Sequence, residues 1–372
     1  MKILFIGDAS NFHNCLANAL RDMGHNCMVI SDGSTWQKTE CDIRLIRKKG
    51  TINAFKYLFQ TLKLLPKLKG FDIVHFINPP VFLSFRPFNL FPFLFYVKAF
   101  NKFLFLSALG TDKTYVNACY DKKTFRYSDY FVGDNLNPYM KSIESYLEKN
   151  WNKTEVNYFH NFFIKNMDGI VSCLYEYHIP YINKFPNKTI YGGIPIDTKS
   201  IHPNYIETEP QKVRFFIGIQ KNKIILKGAD KLLETLKKIC SKYPDKAEMT
   251  VVENVPYSKY LNIMREHHVI LDQLYSYSPC TNALLGMAQG LIAVSGAEPE
   301  YYDFIGETEN KPIINVSPLI ENDIYNKLEW IILNKSKLPE LSRASRAFVE
   351  KHNDSHIVAQ RHLDFWNKFL QK

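Results

Sequence analysis

The 372-residue chain contains no CxxC pair, no DxD pair of carboxylates, no repeat period and no low-complexity tract. It also lacks any charge-free run of about 20 mostly apolar residues, the length a spanning helix needs. Its seven cysteines, Cys15, Cys27, Cys41, Cys119, Cys173, Cys240 and Cys280, are odd in number and widely scattered. Neither a disulfide framework nor a zinc site is expected, and a reducing, cytoplasmic location is. The opening MKILFIGDAS reaches Gly7 and Asp8 after too few apolar residues for a leader core, so no secretory leader is expected. The nearest thing to a membrane segment, VFLSFRPFNLFPFLFYVKAFNKFLFLSAL (81–109), is interrupted by Arg86, Pro87, Pro92, Lys98 and Lys102. Two readings of it stay open. It is a helix and a strand buried in a domain, or a Phe, Lys and Arg patch resting on a bilayer.

What is present is ordinary globular composition, 46% apolar and 23% charged, with 14% aromatics. The length suggests about two domains. The net charge of +10 is uneven, because residues 1–110 carry 14 Lys/Arg against 6 Asp/Glu. No RNP-like or helix-turn-helix pattern accompanies the charge, so nucleic acid is not the expected partner.

Short apolar runs alternate with helical patterns. KILFI (2–6) ends at Gly7, a helix with Leu16, Ala17 and Leu20 follows, and CMVIS (27–31) is the next strand. FDIVHFI (71–77), KFLFLSA (102–108), DGIVSC (168–173) and KTIYGGIPID (188–197) continue the series. The polar stretch 196–213 reads as a linker. A second alternation then begins: RFFIGI (214–219), a helix over 227–243, AEMTVVE (247–253), HVILDQL (268–274), a small-residue helix ALLGMAQG (283–290) and LIAVSG (291–296). Helices are expected over 322–334, 338–351 and 355–371, the last with Ser355 as N-cap. The expected fold class is α/β, with parallel sheets in two domains, 1–200 and 201–354. Ligands of such sheets bind outside the carboxyl ends of the strands, so the chemistry is sought in those loops.

Three segments, in order, resemble the retaining glycosyltransferases of the GT-B fold, family 4 of the usual classification. FIGIQKNKIILKGADKLLETL is similar to the family's "G-R-…-K-G-x-D-x-L-L". HVILDQLYSYSPCTNALLGMAQGLIAVSG is similar to "D-I-x-x-x-Q-…-L-E-A-M-A-x-G-x-P-V-V", and LANALRDMGHNCMVIS to "L-A-x-x-L-x-x-x-G-H-x-V-x-V". YGGIPIDTKSIHP looks like the family's approach to the linker. The resemblance implies two Rossmann-like domains facing each other across a cleft. It implies a last helix, about 355–371, crossing back to the N-terminal domain. It further implies a nucleotide-sugar donor on the C-terminal domain and an acceptor on the N-terminal one.

A nucleoside diphosphate leaves only if cations or helix amides hold its phosphates. Lys227 and Lys221 are the candidate catalytic cations, with Gly228 allowing close backbone approach; the lysines read equally as solvated side chains. Ser278, Thr281 and Asn282 precede a small-residue helix and are candidate donor contacts. The family's two glutamates fall on Tyr277 and Leu285 here, and its arginine on Ile219. Glu298 and Glu300 are the candidate substitutes for the glutamates, and Lys221 for the arginine. Gly110-Thr111-Asp112 resembles "H-G-S-D" with Leu109 in place of the histidine. Asp112 either faces the cleft as a third catalytic candidate or caps the following helix. His13 and His160 are not obvious replacements for the lost histidine. Asn11 and Phe12, with Gly110 and Thr111, are candidate acceptor contacts. With DxD missing, no metal or other cofactor is expected.

Residues 44–70 form a basic amphipathic stretch, with Leu58, Leu62 and Leu65 at helical spacing. That suits a lipid-linked or polyanionic acceptor and a peripheral membrane contact, or is an ordinary solvated helix. The expected function is transfer of a sugar from a nucleotide-sugar to a lipid-linked glycan in surface polysaccharide biosynthesis, at the inner membrane face. The alternative is a catalytically inactive partner that keeps the fold as a scaffold.

Overall fold

The computed structural model describes residues 1–32, 40–78, 90–137, 140, 153–220, 224–253 and 255–371. Two sheets of parallel strands organise them. The first holds β1 (Lys2–Ile6), β2 (Asn26–Ser31), β3 (Ile43–Arg44), β4 (Ile73–Ile77) and β5 (Phe103–Ala108). A short antiparallel pair, β6 (Phe131–Val132) and β7 (Asn135–Leu136), stands apart from the sheet. Then β8 (Gly169–Ser172) and β9 (Thr189–Tyr191) complete the order β3-β2-β1-β4-β5-β8-β9. The second sheet holds β10 (Val213–Ile219), β11 (Ala247–Glu253), β12 (Val269–Leu271), β13 (Ile292–Ser295) and β14 (Ile314–Asn315), in the order β11-β10-β12-β13-β14.

Both strand orders reverse once. In the first sheet β1 lies between β2 and β4, with Ile3 in register with Cys27 and Ile73. In the second, β10 lies between β11 and β12. The connections leave a strand toward opposite sides at such a point and open a crevice at its carboxyl end. Strands β1, β4, β5 and β12 are buried on both faces, as parallel strands covered by helices must be.

The helices follow from apolar spacing. In Ala229–Lys242, Leu232, Leu236 and Ile239 recur at three and four residues and are fully buried under the second sheet. The last helix, Ser355–Leu370, crosses back to pack beside Phe12–Asp22 under the first sheet. Trp366 is fully buried there, its ring 6.5 Å from Phe5, 5.6 Å from His75 and 6.2 Å from Phe105. Burying each large side chain of this kind contributes roughly 1.5–3 kcal/mol. Gly169 admits the helix, since a Cβ there would stand 2.6 Å from Phe365 and 2.7 Å from Phe105. The cap of this helix is Asp354, not Ser355. Asp354 accepts from the His356 amide at 2.9 Å, while the Ser355 amide donates to the Ile196 carbonyl at 2.9 Å and joins the crossover to the linker.

Of the apolar stretch 81–109, residues 81–89 lie outside the described residues. The rest forms helix Phe91–Phe100 and β5, with Phe93, Leu94 and Val97 buried and Phe95 and Phe100 exposed. Among the described residues no helix is long and apolar enough to cross a membrane.

Candidate functional site

A cavity of about 500 Å³ lies where the two reversals face each other. Its N-terminal wall comes from residues following β1 (Gly7, Asp8, Ala9, Ser10), β4 (Asn78) and β5 (Leu109, Gly110, Thr111). Its C-terminal wall comes from Leu226 and Lys227 after β10, and from Gln273, Tyr275, Ser276 and Cys280 after β12. Tyr57, from helix Thr51–Leu64, and Leu45 close one side.

Lys227 is placed by the turn that starts helix Ala229–Lys242. Its carbonyl accepts from the Leu274 amide at 2.9 Å, and the next residue, Gly228, has φ +69°. A Cβ on Gly228 would lie 2.7 Å from the Leu274 Cβ, so the glycine lets this turn pack on the loop after β12. Its amide is used by the Ile225 carbonyl at 3.1 Å. Gly228 therefore supports Lys227 from behind and is not itself on the cavity wall. Lys221 lies outside the described residues. Among those described, Lys227 is the one cationic side chain on the wall.

Four carboxylates share the cavity with it: Asp8, Asp32, Asp129 and Glu176. Burial raises Asp8 to about 6, against the pull of the His13 amide 2.8 Å away and with the Asp32 charge adding to the rise. Its Oδ2 is buried without a partner among the described residues. Burial also raises Asp129, which accepts from the Tyr115 hydroxyl, and Lys227 acts to lower it. The cavity thus presents the Lys227 ammonium beside the raised carboxyls of Asp8 and Asp129.

Of the expected contacts on the N-terminal domain, two line the cavity. Gly110 and Thr111 are on the wall, and the missing side chain of Gly110 leaves room for the Asn78 amide, 2.8 Å from where a Cβ would be. Asp112 is not on the wall. It is fully buried, caps helix Lys113–Tyr120 through the Tyr115 amide at 3.0 Å, and accepts from the Tyr181 hydroxyl at 2.7 Å. The cap satisfies a helix end that would otherwise be an orphan donor. Phe12 belongs to the core between the first sheet and the last helix, because its helix turns that face inward. Asn11, at φ 65°, accepts from the Asn14 side chain at 3.0 Å. His13 is fully buried beneath the cavity floor, bonded to the Gly7 carbonyl and the Ser107 hydroxyl, and His160 is buried against Thr114.

Ser278, Glu298 and Glu300, among the remaining donor candidates, sit in a seam between the domains. Ser278 donates to Glu176 at 2.5 Å. Tyr277, in the place of one family glutamate, is buried between Tyr127 and Tyr175, with ring centroids 4.7 and 5.7 Å away. Its hydroxyl accepts from the Arg126 amide at 2.7 Å. Glu298 and Glu300 both pair with Arg126, at 2.9 and 2.5 Å, and Glu298 also accepts from the Tyr127 hydroxyl at 2.7 Å. Asn282 accepts from the Tyr260 hydroxyl at 2.7 Å, and Leu285 faces the core. Thr281 opens helix Thr281–Ala288 but does not reach the wall; Cys280, just before it, does. Among the described residues no group of three or more His, Cys, Asp and Glu could hold a metal ion.

Sequence reasoning missed Glu176, Asp129, Arg126 and Tyr57. Glu176 follows β8, so the loop-after-strand rule reaches it. Arg126 and Tyr57 carry no local signal, since their partners are distant in sequence.

No protein-family model matches the chain, and no curated protein matches it in sequence. Solved structures do match over the full length. Sucrose-phosphate synthase from Thermosynechococcus elongatus superposes with a TM-score of 0.63 at 11% identity, covering 100% of this chain and 99% of that one. The chain has the GT-B fold. A glycosyltransferase from Rickettsia africae gives 0.55 at 14% identity, covering 100% and 98% of the two chains. Anabaena HepE in complex with UDP and glucose gives 0.58 at 10%, covering 99% and 100%. In GT-B terms, the cavity described above is the interdomain cleft.

Proposed function

We propose that the chain is a glycosyltransferase that moves a sugar from a nucleotide-sugar donor to a glycan acceptor, with retention at the transferred carbon. One observation carries the reading: the cavity stands at the carboxyl ends of both sheets, with Lys227 on its C-terminal wall. The Lys227 ammonium stabilises charge on a leaving diphosphate. In such a transfer the departing phosphate takes the acceptor proton on the same face, so the protein's share is positioning and charge stabilisation. The acceptor lies against Asn78, Gly110 and Thr111. The HepE complexes contain UDP, glucose and UDP-glucose, which favours a UDP-sugar as the donor to try first. A lipid-linked acceptor, a role in surface polysaccharide synthesis and a cytoplasmic site of action complete the reading.

A second reading, an inactive GT-B scaffold, is favoured by the seam. Ser278, Tyr277, Glu298 and Glu300 are all engaged by the N-terminal domain. Titration calorimetry with UDP, GDP, ADP, CMP and their sugar conjugates separates the two. One nucleotide is expected to bind, and Lys227→Ala to weaken it about tenfold or more. A ligand at 100 times its Kd stabilises the fold by ~2.7 kcal/mol, so a thermal shift gives an independent readout. No heat and no shift with any of them sinks the enzyme reading in favour of the scaffold.

A further inference from the structure

An amphipathic helix on a globular domain normally turns its apolar stripe to the core. Helix Thr51–Leu64 does the opposite. Ile52 is 74% exposed, Phe55 69%, Phe59 56% and Leu62 51%, with Leu58 beside them at 43%. At 3.6 residues per turn these five positions cover about a third of the helix circumference. The side that meets the domain carries the buried Tyr57 and Thr61, and Thr61 donates to the Tyr57 carbonyl at 2.9 Å. Side-chain exposure of this kind marks a surface with a partner.

The charge around the face identifies the partner. Between Asp42 and Asp72 the chain carries eight Lys/Arg and no Asp or Glu. Lys63 lies over the Phe59 ring at 4.5 Å, so cation and apolar face are interleaved. Lys69 likewise lies over the exposed Phe100 ring at 4.0 Å. A second copy of this chain would bring eight like charges against eight.

We infer that the outward face of helix Thr51–Leu64 docks on an anionic lipid bilayer. Phe55, Phe59, Ile52 and Leu62 insert at the headgroup boundary, and the flanking lysines and arginines meet the lipid phosphates. The placement also gives the docking a purpose. Tyr57, on the inner side of the same helix, is on the cavity wall, so one helix separates the bilayer from the cleft. A glycan acceptor anchored by a lipid tail reaches the cavity around that helix without leaving the membrane. The lipid docking stands on the surface alone; its use for an acceptor rests on the transferase reading.

The test is co-sedimentation of the full chain with phosphatidylcholine vesicles, with and without phosphatidylglycerol. Binding to the anionic vesicles is expected to be at least about tenfold stronger, since each basic residue near an anionic surface contributes roughly fivefold. It weakens as salt rises. Phe55→Ser with Phe59→Ser is expected to lower it about tenfold or more, at unchanged melting temperature and unchanged nucleotide binding. Lys56→Glu with Lys63→Glu gives the same loss while every apolar side chain of the face is kept. Equal sedimentation with both vesicle types, or full binding by the serine variant, overturns the proposal. So does a dimer in sedimentation velocity that the serine variant dissociates, which would assign the face to a second copy. The vesicle assay uses neither donor nor acceptor, so its failure is separate from failure of the transferase reading.

Discussion

The carboxylate of Glu176 accepts from the Ser278 hydroxyl at 2.5 Å and from the Ser278 amide at 3.0 Å. Glu176 follows β8 of the first sheet, and Ser278 follows β12 of the second. The pair is buried and ties the two domains together beside the cleft. A third bond, from the Tyr277 amide at 2.5 Å, completes the carboxylate's set of donors. Burial raises the Glu176 carboxyl, while the Ser278 hydroxyl and the backbone amides act to lower it.

Glu176→Gln keeps the shape but turns an amide NH₂ toward a set of donors. The expected cost is about 1–3 kcal/mol, the penalty of buried polar groups left unmatched. It is read as a lower melting temperature and faster amide exchange over residues 276–279. If both stay at the parent values, the seam is not what holds the domains in register.

Gly228→Ala places a Cβ 2.7 Å from the Leu274 Cβ at a backbone φ of +69°. Strain at such a residue is of order 1–3 kcal/mol. The turn must shift, and Lys227 shifts with it. A loss of nucleotide affinity that approaches that of Lys227→Ala is therefore expected, alongside a lower melting temperature. Parent-like affinity in the alanine variant would separate Gly228 from the placement of Lys227.

Asp8 titrates near 6 in the folded chain, against 3.8 for the free side chain. The folded state binds the extra proton between those values. Its stability contribution is therefore greatest at low pH and is lost as pH rises from about 4 to about 6. On linkage grounds the loss is on the order of 2–3 kcal/mol. Asp8→Asn removes it, so the variant's melting temperature relative to the parent rises between pH 4 and pH 7. A difference that stays flat across that window would mean Asp8 is not held in its protonated form.

Much of the architecture was legible because it is written in local periods. Apolar runs such as KILFI and HVILDQL end at glycine or polar residues, and helices with Leu232, Leu236 and Ile239 fall between them. The positions of Gly110 and Thr111 on the cavity wall were legible too, since they closely follow β5, and so was that of Lys227, which stands just before the helix that follows β10. Asp112 and Phe12 also follow strands, yet one caps a helix and the other fills the core. Their backbone positions were right, and their side chains point away from the cavity. Ser278, Glu298 and Glu300 were read as donor contacts because nothing within a few residues reveals that Glu176, Arg126 and Tyr127 claim them.

The sequence by itself determined the alternation of strands and helices, hence two parallel sheets with their loops at carboxyl ends. That information is local, carried by side-chain periods of two and 3.6 and by the turn residues between them. Only the tertiary structure decided what those loops and faces meet. The seam pairs residues more than 100 positions apart, and no local period encodes such a contact. The amphipathic pattern of 51–64 is likewise neutral about direction. The packing of Tyr57 and Thr61 against the domain is what turned Phe55 and Phe59 outward.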